Sequence, residues 1–228
     1  MKTSIIIPAF NEAQNIGALV KFLRLDGTAQ TEIIVVDGGS MDDTLELAKK
    51  AGANAVISAA KGRAAQMNYG ASIANGDIFY FVHADTFPPA TFLKDIHLAV
   101  DQGFQLGRYR TKFLSALPLL KINEWVTRFD LFICMGGDQT LFVTRKLFQQ
   151  VNGFNNDMLI MEEYEFCKRA REKGKYKIMN GAALVSARKY QHNSWMQVLK
   201  ANNQLVNMYK KGAAQQAMVK QYKKMLRF

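Results

Sequence analysis

What this chain lacks narrows it first. It has 2 cysteines in 228 residues, Cys134 and Cys167, and no C-x-x-C pair. That excludes a disulfide framework of the secreted kind and a zinc site, and it fits a reducing compartment. The longest stretch free of Asp, Glu, Lys and Arg is residues 64–76, only 13 long and containing Gln, Asn and Ser. A spanning helix needs about 18 apolar residues, and the apolar part of the opening Met-Lys-Thr-Ser-Ile-Ile-Ile-Pro is too short for a signal peptide. The expectation is a cytoplasmic protein that crosses no bilayer. No Gly-x-Gly-x-x-Gly follows the first apolar run, which argues against a dinucleotide-dependent oxidoreductase. No internal repeat and no low-complexity linker interrupts the chain.

Acid is missing from one whole region. Residues 1–172 carry 18 Lys and Arg against 19 Asp and Glu, whereas residues 173–228 carry 12 Lys and Arg and no acid at all. A segment of one sign points to an anionic partner such as a lipid surface, a nucleic acid or a phosphorylated substrate; the plainer reading is a solvated helical face. With 49% hydrophobic and 21% charged residues the composition is globular. At this length roughly 70–75% of the unfolded chain's surface can be buried, so neither a disulfide nor a structural metal is needed.

Apolar runs of four to six residues alternate with helical patterns. Residues 4–8, 32–37, 55–58 and 77–82 read as strands; residues 16, 19, 20 and 23 keep helical spacing, Asp42 and Asp43 cap a helix to Lys50, and residues 62–74 form another. Strands of this kind separated by helices imply a doubly wound, mostly parallel α/β sheet over the first ~100 residues. The second half reads less regularly: a strand over 104–109, a helix over 114–132 with a proline near its start, a strand over 140–144, a short helix over 146–151, and a helix over 161–173. The expected division is a catalytic unit over 1–186, with a nucleotide-binding half (1–100) and an acceptor half (101–186), then a basic amphipathic helical tail over 187–228. In the tail, Trp195, Leu199, Val206 and Tyr209 share one face, and Ala214, Met218, Tyr222 and Met225 another.

In such sheets ligands bind beyond the carboxyl ends of the strands. The four tips read Pro8-Ala9-Phe10-Asn11-Glu12, Asp37-Gly38-Gly39-Ser40, Lys61-Gly62-Arg63 and His83-Ala84-Asp85-Thr86. Together they offer carboxylates for a ribose, a base or a metal, glycines for close approach, and Arg63 for a phosphate at a helix start. Gln66 shares a helical face with Arg63, and Asn68 lies at its margin.

Residues 4–12, 34–40, 62–68 and 81–86, with Gly-Gly-Asp-Gln (136–139) and Gly-Phe followed by Met-Glu-Glu (153–163), resemble family 2 glycosyltransferases. The order is the family's and covers about residues 3–190; the nearest likeness is a small bacterial branch whose metal-site strand ends His-Ala-Asp. The resemblance implies a GT-A fold, a nucleotide-sugar donor (UDP favoured), Mg²⁺ or Mn²⁺, and an inverting transfer. It places Pro8, Phe10, Asn11, Glu12, Asp37, Gly39, Gly62, Arg63, Gln66, Asn68 and Ala84 around the nucleotide. Asp138 and Gln139 fall to the donor sugar or acceptor pocket, Asp85 to the metal, with His83 as a second ligand or a structural group where the family usually has an acid. Glu163 is the expected base, with Glu162 its rival and Glu165 a weaker one, because the chain reads Glu-Glu where the family reads Glu-Asp.

Plainer readings stand beside these. Asn11 and Glu12 can simply cap a helix, Arg63 can face solvent, and the Glu162–Glu163–Glu165 cluster can serve the helix dipole alone. A catalytically decayed nucleotide-sugar-binding scaffold is the alternative of another class. A nucleotidyltransferase lacks its glycine-rich loop here, and nucleic-acid binding rests only on the tail, which has no recognised motif. The tail suggests a peripheral contact with an anionic membrane or a lipid-linked acceptor; packing on the catalytic unit, or a homodimer, is the other use of its aromatic faces.

Overall fold

The structure, a computed structural model, describes residues 1–25, 31–132 and 140–227. Its centre is strand β1 (Thr3–Ala9), buried along its whole length. Successive isoleucines suit a strand covered on both faces. Ile5 and Ile7 join one core with Ile16 and Leu19, while Ile6 joins the opposite core with Met67 and Phe79. Helix α1 (Ala13–Arg24) buries Ile16, Leu19, Val20 and Leu23, the spacing read from the sequence. The chain continues through β2 (Thr31–Asp37), α2 (Thr44–Lys50), β3 (Asn54–Ile57), α3 (Arg63–Ile73) and β4 (Ile78–Phe81). Gly70 of α3 is required where it stands, because a Cβ there would lie 2.5 Å from Cγ2 of Ile6. The helix can therefore press directly on β1 and β2.

Beyond β4 come β5 (Thr86–Phe87), α4 (Phe92–Asp101), β6 (Leu106–Leu114), α5 (Leu120–Val126), β7 (Leu141–Thr144), α6 (Arg145–Gln150), α7 (Glu162–Arg171) and β8 (Tyr176–Ser186). The eight strands lie in the order β3-β2-β1-β4-β7-β6-β8-β5. The first four are mutually parallel; β7 runs against β4 and β6, β8 runs parallel to β6, and β5 runs against β8.

The expected doubly wound half is present, and the second half differs in detail. The expected helix over 114–132 is only α5, because β6 continues to Leu114 in pairing with Ser186 of β8, and Pro118 delays the helical start. Strand β8 was not expected at all. Lys177, Asn180 and Gly181 break its apolar pattern, and pairing with β6 and β5 makes it a strand. At the start of α2 the cap position is Asp43, whose side chain makes no capping bond, while Asp42 before it accepts the backbone N–H of Thr44.

The basic segment forms a 3-10 turn (Arg188–Tyr190), α8 (Trp195–Lys210) and α9 (Gln215–Met225). The buried face of α8 is Val198, Ala201, Leu205 and Val206, turned from the expected one. Leu205, Val206 and Met218 pack with Met158 and Met161. The Trp195 indole donates to Asn123, Tyr209 stacks on Phe132, and the Gln215 side-chain oxygen accepts the N–H groups of Leu159 and Ile160. These aromatic groups therefore face the rest of the chain. Among the described residues no helix is long and apolar enough to cross a membrane.

Candidate active site

The tips of β1 and β2 are tied together. Asn11 takes a left-handed backbone (φ 53), its N–H donates to Ser40 and its side-chain oxygen accepts from the N–H of Met41. One oxygen of Asp37 accepts the N–H groups of Gly39 and Ser40, both at 2.7 Å. Its other oxygen is buried and has no hydrogen-bond partner among the described residues. A buried carboxylate oxygen left in that condition is costly unless a ligand supplies a donor. Phe10 beside it is 55% exposed, an open ring at the end of a buried strand.

The end of β4 meets the first turn of α7. Met161, just before α7, has φ 64, a strained value for a side chain of its bulk, and it sets the direction of the helix start. The next two residues, Glu162 and Glu163, are both buried. Glu163 lies 2.8 Å from Nε2 of His83, and Glu162 accepts from Arg63 at 3.0 Å. Burial opposes charge on His83; the carboxylate of Glu163, its hydrogen bond and Asp85 outweigh burial and Arg63, so the imidazole titrates above its ordinary value. Cys167, one turn along α7, is buried, and burial with Glu163 nearby pushes its thiol up to about 12, which makes it unreactive.

A third connection comes from the basic segment. Arg188 donates to Glu12 at 2.7 Å and lies 3.5 Å from an oxygen of Asp85. One half-exposed guanidinium therefore spans the tips of β1 and β4.

The structure brings Glu12, Asp37, Arg63, His83, Asp85, Glu162 and Glu163 to the carboxyl edge of the sheet. Glu12 makes no capping bond to α1; its carboxylate is held by Asn15 and Arg188. Gly39 and Gly62 both have positive φ, and Gly62 opens α3. Pro8 and Ala84 are buried behind the tips. Gln66 and Asn68 are used by the protein itself. Gln66 donates to the carbonyls of Ala9 and Val36, clamping β1 to β2, and Asn68 holds Phe154 and Asn156. Glu165 faces elsewhere, paired with Arg169. Asp138 and Gln139 lie outside the described residues. Among the described residues no group of three or more His, Cys, Asp and Glu is placed to hold a metal ion. Sequence reasoning missed Arg188, since only its place in a basic segment marks it, and it missed the pairing of His83 with Glu163.

Comparison with known proteins bears on the family and the fold. Residues 4–111 match the model for Glycosyl transferase family 2. The chain is 32% identical over 115 residues to a dolichol-phosphate mannosyltransferase of Pyrococcus furiosus, covering 47% of this chain and 32% of that one. Among solved structures, TarS 1–349 of S. aureus in complex with UDP-GlcNAc aligns with TM-score 0.66 and 21% identity over 82% of this chain and 59% of its own. The mannosyltransferase PcManGT of Pyrobaculum calidifontis, in complex with GDP-Man and Mn²⁺, aligns with TM-score 0.70 and 15% identity over 90% of this chain and 61% of its own. Matches to curated relatives take in 19% to 32% of those relatives' length. The fold is that of GT-A glycosyltransferases, and the likenesses together support a glycosyltransferase.

Proposed function

We propose that the chain transfers a sugar from a nucleoside diphosphate donor, a UDP-sugar by preference, to the hydroxyl of an acceptor, with inversion at the anomeric carbon. The observation that carries this reading is the meeting of His83 and Glu163 at 2.8 Å beside Asp85, on the edge that also holds Asp37. It sets a buried carboxylate from the acceptor half against the nucleotide half.

In this reading the unpartnered oxygen of Asp37 accepts from the base or a ribose hydroxyl, Phe10 offers its ring to the base, and Glu12 reaches the ribose. Gly39 and Gly62 let backbone approach the diphosphate, and Arg63 at the start of α3 faces its charge. Asp85 offers one hard oxygen ligand to a divalent cation, and a cation bound there would take the place of Arg188, which now lies 3.5 Å from it. Mg²⁺ or Mn²⁺ held there with the donor's phosphates would offset the charge on the leaving diphosphate. His83 is assigned to Glu163 rather than to the metal, since its Nε2 is engaged there. Glu163 takes the acceptor hydroxyl's proton as the new C–O bond forms and the bond from the anomeric carbon to phosphate breaks. Glu162 stays paired with Arg63, and Asp138 and Gln139 are kept for the donor sugar or acceptor.

The test is isothermal titration with UDP, GDP and TDP, with and without Mn²⁺, repeated on Asp85→Ala. The expected result is binding of one diphosphate, strengthened by Mn²⁺ only in the unaltered protein. Absence of binding by any of the three, with folded protein and metal present, would reduce the likeness to fold alone.

A further inference from the structure

Helix α5 is built inside out. Its inward side carries Leu120, Asn123, Glu124 and Thr127. Asn123 bonds Trp195 and Tyr190, Glu124 accepts the N–H of Phe113, and the Thr127 hydroxyl accepts the N–H of Thr111. Its outward side carries Leu119, Ile122 and Trp125, three residues apart and therefore on one stripe, and Phe129 follows in the turn after the helix. Trp125 is 56% exposed and Ile122 51%, and the rings of Trp125 and Phe129 touch edge to face at 4.7 Å. Leu131 and Met196 are also exposed. Isolated exposed apolar residues are ordinary, but an apolar patch on a helix that turns Asn123, Glu124 and Thr127 inward marks a contact surface.

We propose that this face of α5 docks on an anionic phospholipid bilayer. Charge complementarity selects that occupant. Among the described residues no ion pair is recorded for Lys112 or Arg128, which flank the patch; Glu124 is paired with Lys121 and Asp130 with Arg171. The adjoining α8 and α9 come from the segment with 12 cations and no acid. A second copy of the chain would bring the same positive charge to the same face, whereas anionic headgroups neutralise it and the acyl boundary accepts Ile, Leu, Phe and Trp. The membrane contact expected of the tail's aromatic faces is thus transferred to α5, since Trp195 and Tyr209 are turned inward.

Topology adds a direction. Strand β6 runs against β7, which runs against β4, so Leu114 and Phe81 end at the same edge of the sheet. The start of α5, where Leu120 packs on Phe113 and Val185, lies toward that edge, and the helix runs back along β6, since Arg108 donates to the carbonyls of Thr127 and Phe129. A bilayer on α5 would bring a lipid-borne acceptor to the side of the sheet where α5 begins. The class of acceptor rests on the glycosyltransferase reading; the docking surface does not.

The experiment is vesicle flotation of the full chain, comparing phosphatidylcholine with phosphatidylcholine containing phosphatidylglycerol. The triple variant Ile122→Ser, Trp125→Ser, Phe129→Ser is run alongside, with circular dichroism, thermal midpoint and UDP titration on both proteins. The unaltered chain is expected to float with anionic vesicles and weaken with salt, and the variant to lose at least about tenfold of that binding while keeping its fold and its UDP affinity. Trp125 emission, taken as the difference from Trp125→Phe, is expected to shift to the blue on anionic vesicles. Equal flotation of variant and parent, equal flotation on neutral vesicles, or no flotation of the parent overturns the proposal. So does a dimer in sedimentation velocity that the variant abolishes, since the face would then join two copies. Failure of the parent to bind any nucleotide while flotation persists would strike the glycosyltransferase reading and leave the surface standing.

Discussion

The two ends of β1 are one strand apart and chemically opposite. At its amino end polar groups of the described residues pair with one another. Ser4 donates to Glu32 and accepts from Gly76, Glu32 accepts from Asn75, Lys2 donates to Asp77, and Thr3 meets His97 at 2.8 Å. Arg145 closes this edge by donating to the carbonyls of Gly76 and Ala74 over the face of Phe79. At the carboxyl end Asp37 keeps a bare buried oxygen, Phe10 is open to solvent, and one arginine is shared by two carboxylates from different strands. Buried polar groups are nearly always satisfied, so the satisfied edge reads as structure and the unsatisfied one as a place for a ligand. Four substitutions test this contrast.

The largest effect belongs to Glu163→Gln. The amide can keep a hydrogen bond to His83 but cannot take a proton, so the turnover number should fall roughly 10²–10⁴-fold with UDP affinity unchanged. Steady-state kinetics beside titration separates the two; retained turnover would hand the role of base to Glu162.

At the other edge Arg145→Ala should lower folding stability by about 2–3 kcal/mol, because it strips charge-assisted bonds from two carbonyls. Urea unfolding measures the loss. UDP affinity of the folded protein should not change. If it fell in step with stability, the two edges would not be separable.

The legible parts of the molecule are those with local causes. The isoleucine run of β1, the helical spacing of Ile16, Leu19, Val20 and Leu23, and the Asp-Gly-Gly tip after β2 each state their structure in consecutive residues. Strand β8 does not, because its stability comes from partners in β6 and β5 that are distant in sequence. The inverted α5 is opaque for a related reason: its apolar spacing announces a helix face correctly, and only the positions of Trp195, Phe113 and Thr111 show that this face points out. At the site, residue types locate the strand tips, while the bonds of Gln66 to the carbonyls of Ala9 and Val36 and of Asn68 to Phe154 and Asn156 show only in the folded chain. The sharing of Arg188 between Glu12 and Asp85 depends on β8 returning the chain to that edge, which nothing in its sequence neighbourhood signals.

A smaller effect at the open edge is expected from Asp37→Asn. The retained oxygen still accepts from Gly39 and Ser40, so the turn should hold. The bare oxygen becomes an amide donor and no longer receives the nucleoside's N–H or O–H. Loss of one such bond corresponds to about 1.4 kcal/mol, or a tenfold weaker dissociation constant for UDP. An unchanged constant would make Asp37 a turn residue only, and the contrast between the edges would lose its sharpest member.

The smallest effect is a pH dependence at the satisfied edge. Burial pushes the Glu32 carboxyl up, but the Ser4 hydroxyl, the backbone and side chain of Asn75 and the charge of Lys2 together hold it below its ordinary value. The folded state therefore binds fewer protons there than the unfolded state, and stability gained from Glu32 is present above the ordinary carboxylate pKa and lost as pH falls through the depressed folded value. Glu32→Gln should lower stability by about 1 kcal/mol near neutrality. Thermal midpoints of parent and variant should then converge as the solution is acidified below the carboxylate range. A gap that persisted in acid would mean that the network at this end of β1 depends on the shape of the side chain rather than on its charge.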